Sequence, residues 1–594
     1  MTHQYAQSAA RKSILLARLF QHISPQRRFQ FWLMCVLTMI TSVAEAASLG
    51  AVVPFIGILT EPERILNIPL VSGFISWMGF GVSGNLVLPL AVIFSVSAIV
   101  AAGLRLLLLW ASIRLSMGIG ADISVEIYRR TLYQPYCVHV VRNSSEIISG
   151  ITQKATAATG VLTSLITVVT SAVLFVAILS TLFIIDSFIA SIALLCFGTC
   201  YGLIAWKTRR RLKRNSECIA LEQTRAVKTL QEGLGAIRDV LLDGTQLTYG
   251  HIYKTSINQF MKATGQNLYI TLGPRYLMEA LGMILVAILA YSLSNQPGGI
   301  GAVLPILGAL ALGAQRLMPL LQQLYGNWSV VAGSQAALKD VLDLLDQPLP
   351  SYLNDPLPRP LEYTKEIRFE NVFFRYGEEG AWILDNFSLT IPKGGRIGFA
   401  GKTGSGKSTL LDLFMRLLEP TQGNILVDGN ILTRENSRSW QLAVAHVPQH
   451  IYLSDATIAE NIAFGIRAQE IDFELVKESA RQAQLSEFIE GSPEGYDMVV
   501  GERGVRLSGG QRQRIGIARA LYKKAKILVF DEATSALDKA TENAVMTAIE
   551  NLNRELTILI VAHRLSTLQN CDMIVQLESG KIVSQGPCEN VGTV

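Results

Sequence analysis

Apolar stretches of roughly 20 residues recur through the first half of this 594-residue chain and are missing from the second. A backbone inside hydrocarbon has no water to satisfy its N–H and C=O groups, so such stretches fold there only as helices. Six spans are placed, at residues 31–59, 86–113, 162–185, 188–206, 276–293 and 302–321. An even number returns the chain to its starting side. The connections after the second and fourth spans are long, basic and helical in pattern, whereas 186–187 and 295–299 are tight turns. Lys207, Arg209, Arg210, Arg211, Lys213 and Arg214 directly follow the fourth span, which marks that side as cytoplasmic. At a net charge of only +5, the same run as a nucleic-acid surface is the weaker reading, and no nucleic-acid partner is expected.

Arg11, Lys12, Arg18, Arg27 and Arg28 precede the first span without the short apolar core of a signal peptide, and are read as a cytoplasmic lead-in. The outer loop at 61–83 mixes Ile65, Leu66, Phe74 and Trp77 with few charges. It suits either an amphipathic helix in the interface or a loop packed on the spans. Seven cysteines without a C-x-x-C pair point to neither a disulfide framework nor a zinc site.

Pro348, Pro350, Pro356, Pro358 and Pro360 crowd one short segment that can sustain neither helix nor central strand. Residues 346–363 are therefore read as a linker between a membrane domain, 1–345, and a second domain, 364–594. In the latter, 367–376 and the apolar runs 397–400, 527–530 and 558–561 alternate with helical stretches, as in an α/β domain with a buried parallel sheet. The expected fold is an N-terminal all-α six-helix transmembrane domain plus a C-terminal α/β domain, which a G-x-x-x-x-G-K-S loop at 401–408 marks as a P-loop ATPase domain.

Three motifs give that second domain its chemistry. Gly401-Lys402-Thr403-Gly404-Ser405-Gly406-Lys407-Ser408 fits G-x-x-x-x-G-K-[ST], with Thr409 next in line. Its backbone N–H groups suit phosphate, with Lys407 and Ser408 serving the terminal phosphates and Mg²⁺. Leu507-Ser508-Gly509-Gly510-Gln511 opens a helix with a Ser-Gly-Gly turn, a second anion site. Two phosphate sites in one domain need two nucleotides or two chains. Asp531 and Glu532 end an apolar run, Asp531 suited to a Mg²⁺ shell and Glu532 to polarising an attacking water.

Together these residues resemble the ABC transporter family, in its exporter-type half-transporter form. The resemblance implies ATP and Mg²⁺ as cofactors and a head-to-tail sandwich in which Ser508, Gly509, Gly510 and Gln511 close over ATP on a partner's phosphate loop. A second copy of the chain would supply that partner, with a heterodimer as the alternative. By the same resemblance Gln449 contacts Mg²⁺, His563 bonds the γ-phosphate, and Tyr376 lies under adenine. Ser535-Ala536-Leu537-Asp538 would communicate across the sandwich, and Gly501-Glu502-Arg503-Gly504 would touch coupling helices expected near 133–149 and 230–243.

Cargo is read from the spans. Arg105, Arg275 and Arg316 stand among apolar residues, roughly 22 to 28 Å from the outer ends of their spans. Such a belt of guanidinium groups suits a phosphate-bearing headgroup, while snorkelling to the cytoplasmic interface is the alternative. Glu45, midway along the first span, needs a partner or water. Asn143-Ser144-Ser145-Glu146, the stretch at 231–239 and the arginine placement resemble PglK-type lipid-linked oligosaccharide flippases. That implies ATP-driven flipping of a lipid-linked oligosaccharide or related phosphate-bearing glycolipid by alternating access. The alternatives are export of peptides, lipids or drugs, and an ATPase that gates a partner without moving cargo. The expected setting is the inner or plasma membrane, with membrane lipid around the spans and both termini and the ATPase domain cytoplasmic.

Overall fold

The computed structural model describes residues 15–51, 55, 87–185, 187–294, 299–377, 379–532, 537–550, 555–562 and 568–587. The chain divides into two compact units, Met1–Gln134 with Val138–Pro350, and Pro135–Cys137 with Ser351–Val594.

The first unit is helical: α1 (Pro25–Gly50), α2 (Val87–Leu132), α3 (Tyr136–Val141, of which Tyr136 and Cys137 belong to the second unit), α4 (Ser144–Ser149), α5 (Ala155–Ile185), α6 (Ser187–Gly235), α7 (Ile237–Leu242), α8 (Gln246–Leu272), α9 (Pro274–Ser294), α10 (Gly299–Gly333) and α11 (Gln335–Leu345). Ser24 caps α1 by accepting from the Arg27 N–H, and Pro25 opens it, where a missing N–H costs nothing. At 46 and 49 residues, α2 and α6 reach roughly 70 Å, more than twice a hydrocarbon core of about 30 Å. The long basic connections are thus largely continuations of the spanning helices, with the short α3, α4 and α7 at their turns. Among the described residues, five helical stretches are long and apolar enough to cross a membrane: Pro25–Gly50, Ala91–Leu132, Ser144–Ile184, Ala190–Gly235 and Gln246–Ile288. The sixth expected span falls within α10. The outer loop at 61–83, Asp186 and residues 295–298 lie outside the described residues.

In α11, Leu338, Val341, Leu342 and Leu345 recur at helical spacing and are all buried. They join Met34, Leu115, Ile119, Ile123 and Val161 in one core shared by α1, α2 and α5. A π-turn, Gly150–Lys154, links α4 to α5, and its buried Lys154 meets Asp340 of α11 at 2.5 Å.

The second unit has two sheets. The larger runs β10-β9-β3-β8-β7-β6, with β3 (Arg396–Ala400), β6 (Val444–Val447), β7 (Ile527–Asp531), β8 (Thr557–Val561) and β9 (Met573–Glu578) parallel, and β10 (Lys581–Gly586) antiparallel at its edge. The three apolar runs expected to form a buried parallel sheet lie in its neighbouring strands β3, β8 and β7. Residues 367–376 do not join it: β1 (Glu366–Phe374) belongs to an antiparallel sheet ordered β2-β1-β4-β5, with β2 (Leu384–Pro392), β4 (Gln422–Val427) and β5 (Asn430–Ile431). The reason is visible in β1 itself, which alternates buried and exposed residues as a half-solvated strand does. Asp428 anchors its start by accepting N–H bonds from Thr364, Lys365 and Glu366 at 2.6, 2.8 and 3.0 Å.

Between the sheets Trp440, Phe369, Phe387, Phe399 and Phe414 are fully buried. Trp440 donates its indole N–H to the Phe414 carbonyl at 2.6 Å, so the polar handle of this large side chain is satisfied. Phe414 ends α12 (Lys407–Phe414), the helix that follows β3.

Asp412 of that helix is partly buried. Burial first, then the neighbouring Asp531 carboxylate, push its carboxyl up to about 6. A carboxyl whose native pKa lies above its unfolded value of about 3.9 favours the fold when protonated. That contribution fades as pH rises through 6. Nucleotide-free Asp412→Asn protein is therefore expected to melt a few degrees higher than the parent at pH 8, with the gap closing between pH 6 and 4. Thermal melting against pH checks this, and a variant that melts lower at pH 8 refutes it.

Candidate functional site

The phosphate loop runs from the end of β3 into α12. Gly401 has φ +156°, and a Cβ there would lie 2.4 Å from the Leu577 carbonyl oxygen. Gly406 caps α12 at φ +100°, and a Cβ would meet the Ile383 carbonyl oxygen at 3.0 Å. Only glycine fits either place, and between them the Ser405 N–H closes the turn on the Lys402 carbonyl at 3.1 Å. Thr403 and Gly404 form the turn of the loop, and Ser408 and Thr409 lie in the first turn of α12. Lys407 folds back, donating to the carbonyls of Gly401 at 2.7 Å and Lys402 at 2.9 Å. Burial pushes its ammonium down, while Glu532 and Asp531 hold it up. Ser405 is buried with its hydroxyl unpartnered, aimed inside the loop's own fold.

Asp531 ends β7 directly beside Val561 of β8. Burial, and then Glu532, raise its carboxyl, and Lys407 opposes them. Glu532 leaves the strand at φ +50°, a left-handed turn that costs a side-chain-bearing residue about 1 to 2 kcal/mol. Its N–H bonds the Val561 carbonyl at 3.0 Å, which holds the turn. Gln449, two residues beyond β6, donates through Nε2 to Glu532 Oε2 at 2.5 Å. Four sequence-predicted residues, Lys407, Asp531, Glu532 and Gln449, thus share one site. His563, Ser535 and Ala536 lie outside the described residues.

Tyr376 follows β1 and is 44% exposed as a residue, and Phe374 supports its ring edge-on at 5.0 Å between centroids. It offers an open aromatic face. On another part of the unit, Ser508 caps the 14-residue helix α13 (Gly509–Tyr522) in a reciprocal capping box. The Ser508 N–H donates to Gln511 Oε1 at 2.8 Å, and the Gln511 N–H donates to Ser508 Oγ at 3.2 Å. Gln511 therefore shapes the helix start, while Ser508 faces solvent.

In the membrane unit the three arginines part company. Arg316 of α10 bonds Glu45 of α1, and Arg105 of α2 approaches the same carboxylate at 3.8 Å. Arg275 instead pairs with Glu279 on its own helix at 2.7 Å, largely exposed. The expected belt is thus a pair of arginines around one acid, with the third elsewhere.

Residues 384–535 match a family described as ABC transporter. The chain is 32% identical over 469 residues to an ATP-dependent lipid A-core flippase of Chromohalobacter salexigens, covering 78% of this chain and 79% of that protein. It is 31% identical over 600 residues to one of Burkholderia pseudomallei, covering 98% and 94%. The chain belongs to the ABC transporter family. Its fold matches a bacterial Atm1-family ABC exporter solved with ATP bound, at TM-score 0.75, 23% identity and 95% coverage of both chains. It is an integral membrane protein and an ATP-hydrolysing transporter, and the second unit is the ATP-binding half of an ABC transporter.

The ATP site also fits Mg²⁺. The Ser408 hydroxyl, the Asp531 carboxylate and the Gln449 amide oxygen are hard oxygen donors. Burial and then the adjacent Glu532 raise the Asp531 carboxyl, and a cation held there would offset both. A residue the motifs missed is Arg519 of α13. It donates to the carbonyls of Asn461 at 2.9 Å and Tyr452 at 3.0 Å and lies over the Phe464 ring. Burial lowers its guanidinium to about 10. It ties the helix that starts at Ser508 to the segment after Gln449, a tertiary role with no local motif to announce it.

Glu532→Gln should leave ATP binding intact while cutting steady-state hydrolysis by roughly 10² to 10⁴. Phosphate release and equilibrium ATP binding measure the two. Parallel loss of both would give Glu532 a structural role only.

Proposed function

We propose that this ABC transporter is an ATP-driven flippase for a phosphate-bearing glycolipid, the class that holds both lipid-linked oligosaccharides and the lipid A-core named for its relatives. The observation that carries the reading is the similarity to those flippases along 98% of the chain. Arg105 and Arg316, charged groups inside spanning helices, agree with it, since intramembrane guanidinium groups with spare donors suit phosphate. Arg275, at the start of α9, is proposed as an outlying contact for the same headgroup.

Residues 1–345 form the membrane domain in this reading, 346–363 the linker and 364–594 the ATPase domain. The loop Gly401, Lys402, Thr403, Gly404, Ser405, Gly406, Lys407, Ser408 and Thr409 holds the phosphates, with adenine on Tyr376. Ser408, Gln449 and Asp531 would hold Mg²⁺, which neutralises phosphate charge when bound. Glu532 orients and deprotonates the attacking water, and the Gln449 amide, bonded to it at 2.5 Å, positions its carboxylate. His563 contacts the γ-phosphate. Ser508, Gly509, Gly510 and Gln511 complete the site of a second copy of the chain, so closure of two ATPase domains drives the spans between inward and outward access. The ATPase domain and both termini face the cytoplasm of an inner or plasma membrane.

In proteoliposomes, ATP should drive translocation of a fluorescent phosphate-bearing glycolipid, and Glu532→Gln should abolish it. Replacing Arg105, Arg275 and Arg316 together by Ala should impair translocation more than hydrolysis. Undiminished translocation in that triple variant would remove the arginines from the cargo site.

Substitution of Ser508 by Arg should leave ATP affinity near the parent value while hydrolysis falls at least tenfold, because the lesion sits on the partner's nucleotide. Weakened ATP binding with normal hydrolysis at saturation would contradict the assignment.

A further inference from the structure

Glu45 lies in the last third of α1, is 5% exposed, and has no part in ATP chemistry. Two guanidinium groups reach it from different helices. Arg316 of α10 bonds Oε2, and Arg105 of α2 lies 3.8 Å from Oε1. A second arm of Arg316 donates to Ser48 Oγ at 3.3 Å, one turn further along α1. An unpaired charge in a span is costly, so the cluster holds because its members compensate one another. Compensation is incomplete: two guanidinium groups and one carboxylate leave one positive charge. Arg105 keeps 48% of its side chain exposed and Arg316 29%, so both have donors to offer another anion.

The cluster also bridges a thin seam. Among the described residues α1 leans on α2 and α5, and its direct contact with α10 is slight. Leu49 of α1 and Leu320 of α10 both pack into a core whose middle is Leu174, Ile178 and Leu182 of α5. What joins α1 to α10 most directly is therefore the ion pair. It can be exchanged without dismantling that core.

We infer that Glu45 is a resident counter-anion which the cargo's anionic headgroup replaces on Arg316 and Arg105, freeing the α1–α10 seam to open. This rests on the phosphate-bearing reading above and adds the residue that enforces it. A phosphate offers several acceptor oxygens and up to two charges, so it outbids a single carboxylate for two planar guanidinium groups. A neutral or cationic lipid cannot, because it offers the guanidinium groups no anion to offset the cost of parting Arg316 from the buried Glu45. Glu45 thus selects against uncharged cargo and couples the arrival of an anion to movement of α1 against α10.

The test uses the full-length protein in phosphatidylcholine nanodiscs, with bisphosphorylated lipid A as probe and its dephosphorylated form as control. The readouts are the probe concentration that half-maximally stimulates ATP hydrolysis, and the melting temperature. If Glu45 occupies the arginines most of the time, removing it lifts a competition tax on binding. Glu45→Gln should then lower the half-maximal concentration of the phosphorylated probe by about tenfold. Should that variant fail to fold, the exchange Glu45→Arg with Arg316→Glu keeps an ion pair across the same seam. It should melt like the parent yet lose stimulation, since the arginine an anion would pull on no longer belongs to α10. Parent-like half-maximal concentration in Glu45→Gln, or parent-like stimulation in the exchange, would make the cluster a structural pair and overturn the inference. A parent protein that neither responds to nor flips any phosphorylated probe would instead sink the flippase reading, and this inference with it.

Discussion

The row of backbone hydrogen bonds across β3, β8 and β7 is what the ATP site depends on. Phe399, Val561 and Asp531 stand side by side at the ends of these strands. That register puts the phosphate loop, which leaves β3, beside the carboxylates, which leave β7. Glu532 then turns back on the same ladder through the Val561 carbonyl. A shift of β7 by one residue would send Asp531 to the other face of the sheet, because the side-chain period of a strand is two. The parallel sheet can fix this register because apolar layers bury both of its faces, as the fully buried run of β8 illustrates.

A comparable economy governs the membrane unit. Hydrocarbon forces helices but gives little reason for one apolar helix to prefer another. Specificity has to come from shape and from the few polar groups present. Lys154 with Asp340, and Glu45 with Arg316 and Arg105, are such groups. The first binds the π-turn before α5 to the amphipathic α11. The second joins α1 to α10 and leaves one positive charge in excess.

Much of the site was legible in the sequence because phosphate binding is local chemistry. Glycines at positive φ, a lysine that folds back and a serine at a helix start are all set within a few residues. The apolar runs of β3, β7 and β8 were equally plain, since strands buried on both faces have no polar residues to interrupt them. The strand at 367–376 was legible too, but that it joins an antiparallel sheet follows from its alternation of buried and exposed residues. Arg519 and Asp428 left no local sign at all: their partners lie 58 and about 60 residues away.

The sequence by itself determined that this chain has helical spans and a P-loop ATPase, because hydrocarbon and phosphate each impose requirements that neighbouring residues meet alone. Only the tertiary structure decided which charges meet. Glu45 and Arg316 are separated by 271 positions, and Gln449 and Glu532 by 83. No periodicity encodes such distances. The pairings follow from helix packing and strand register, which bring distant groups within reach and leave Arg275, equally prominent in the sequence, with Glu279 one turn away.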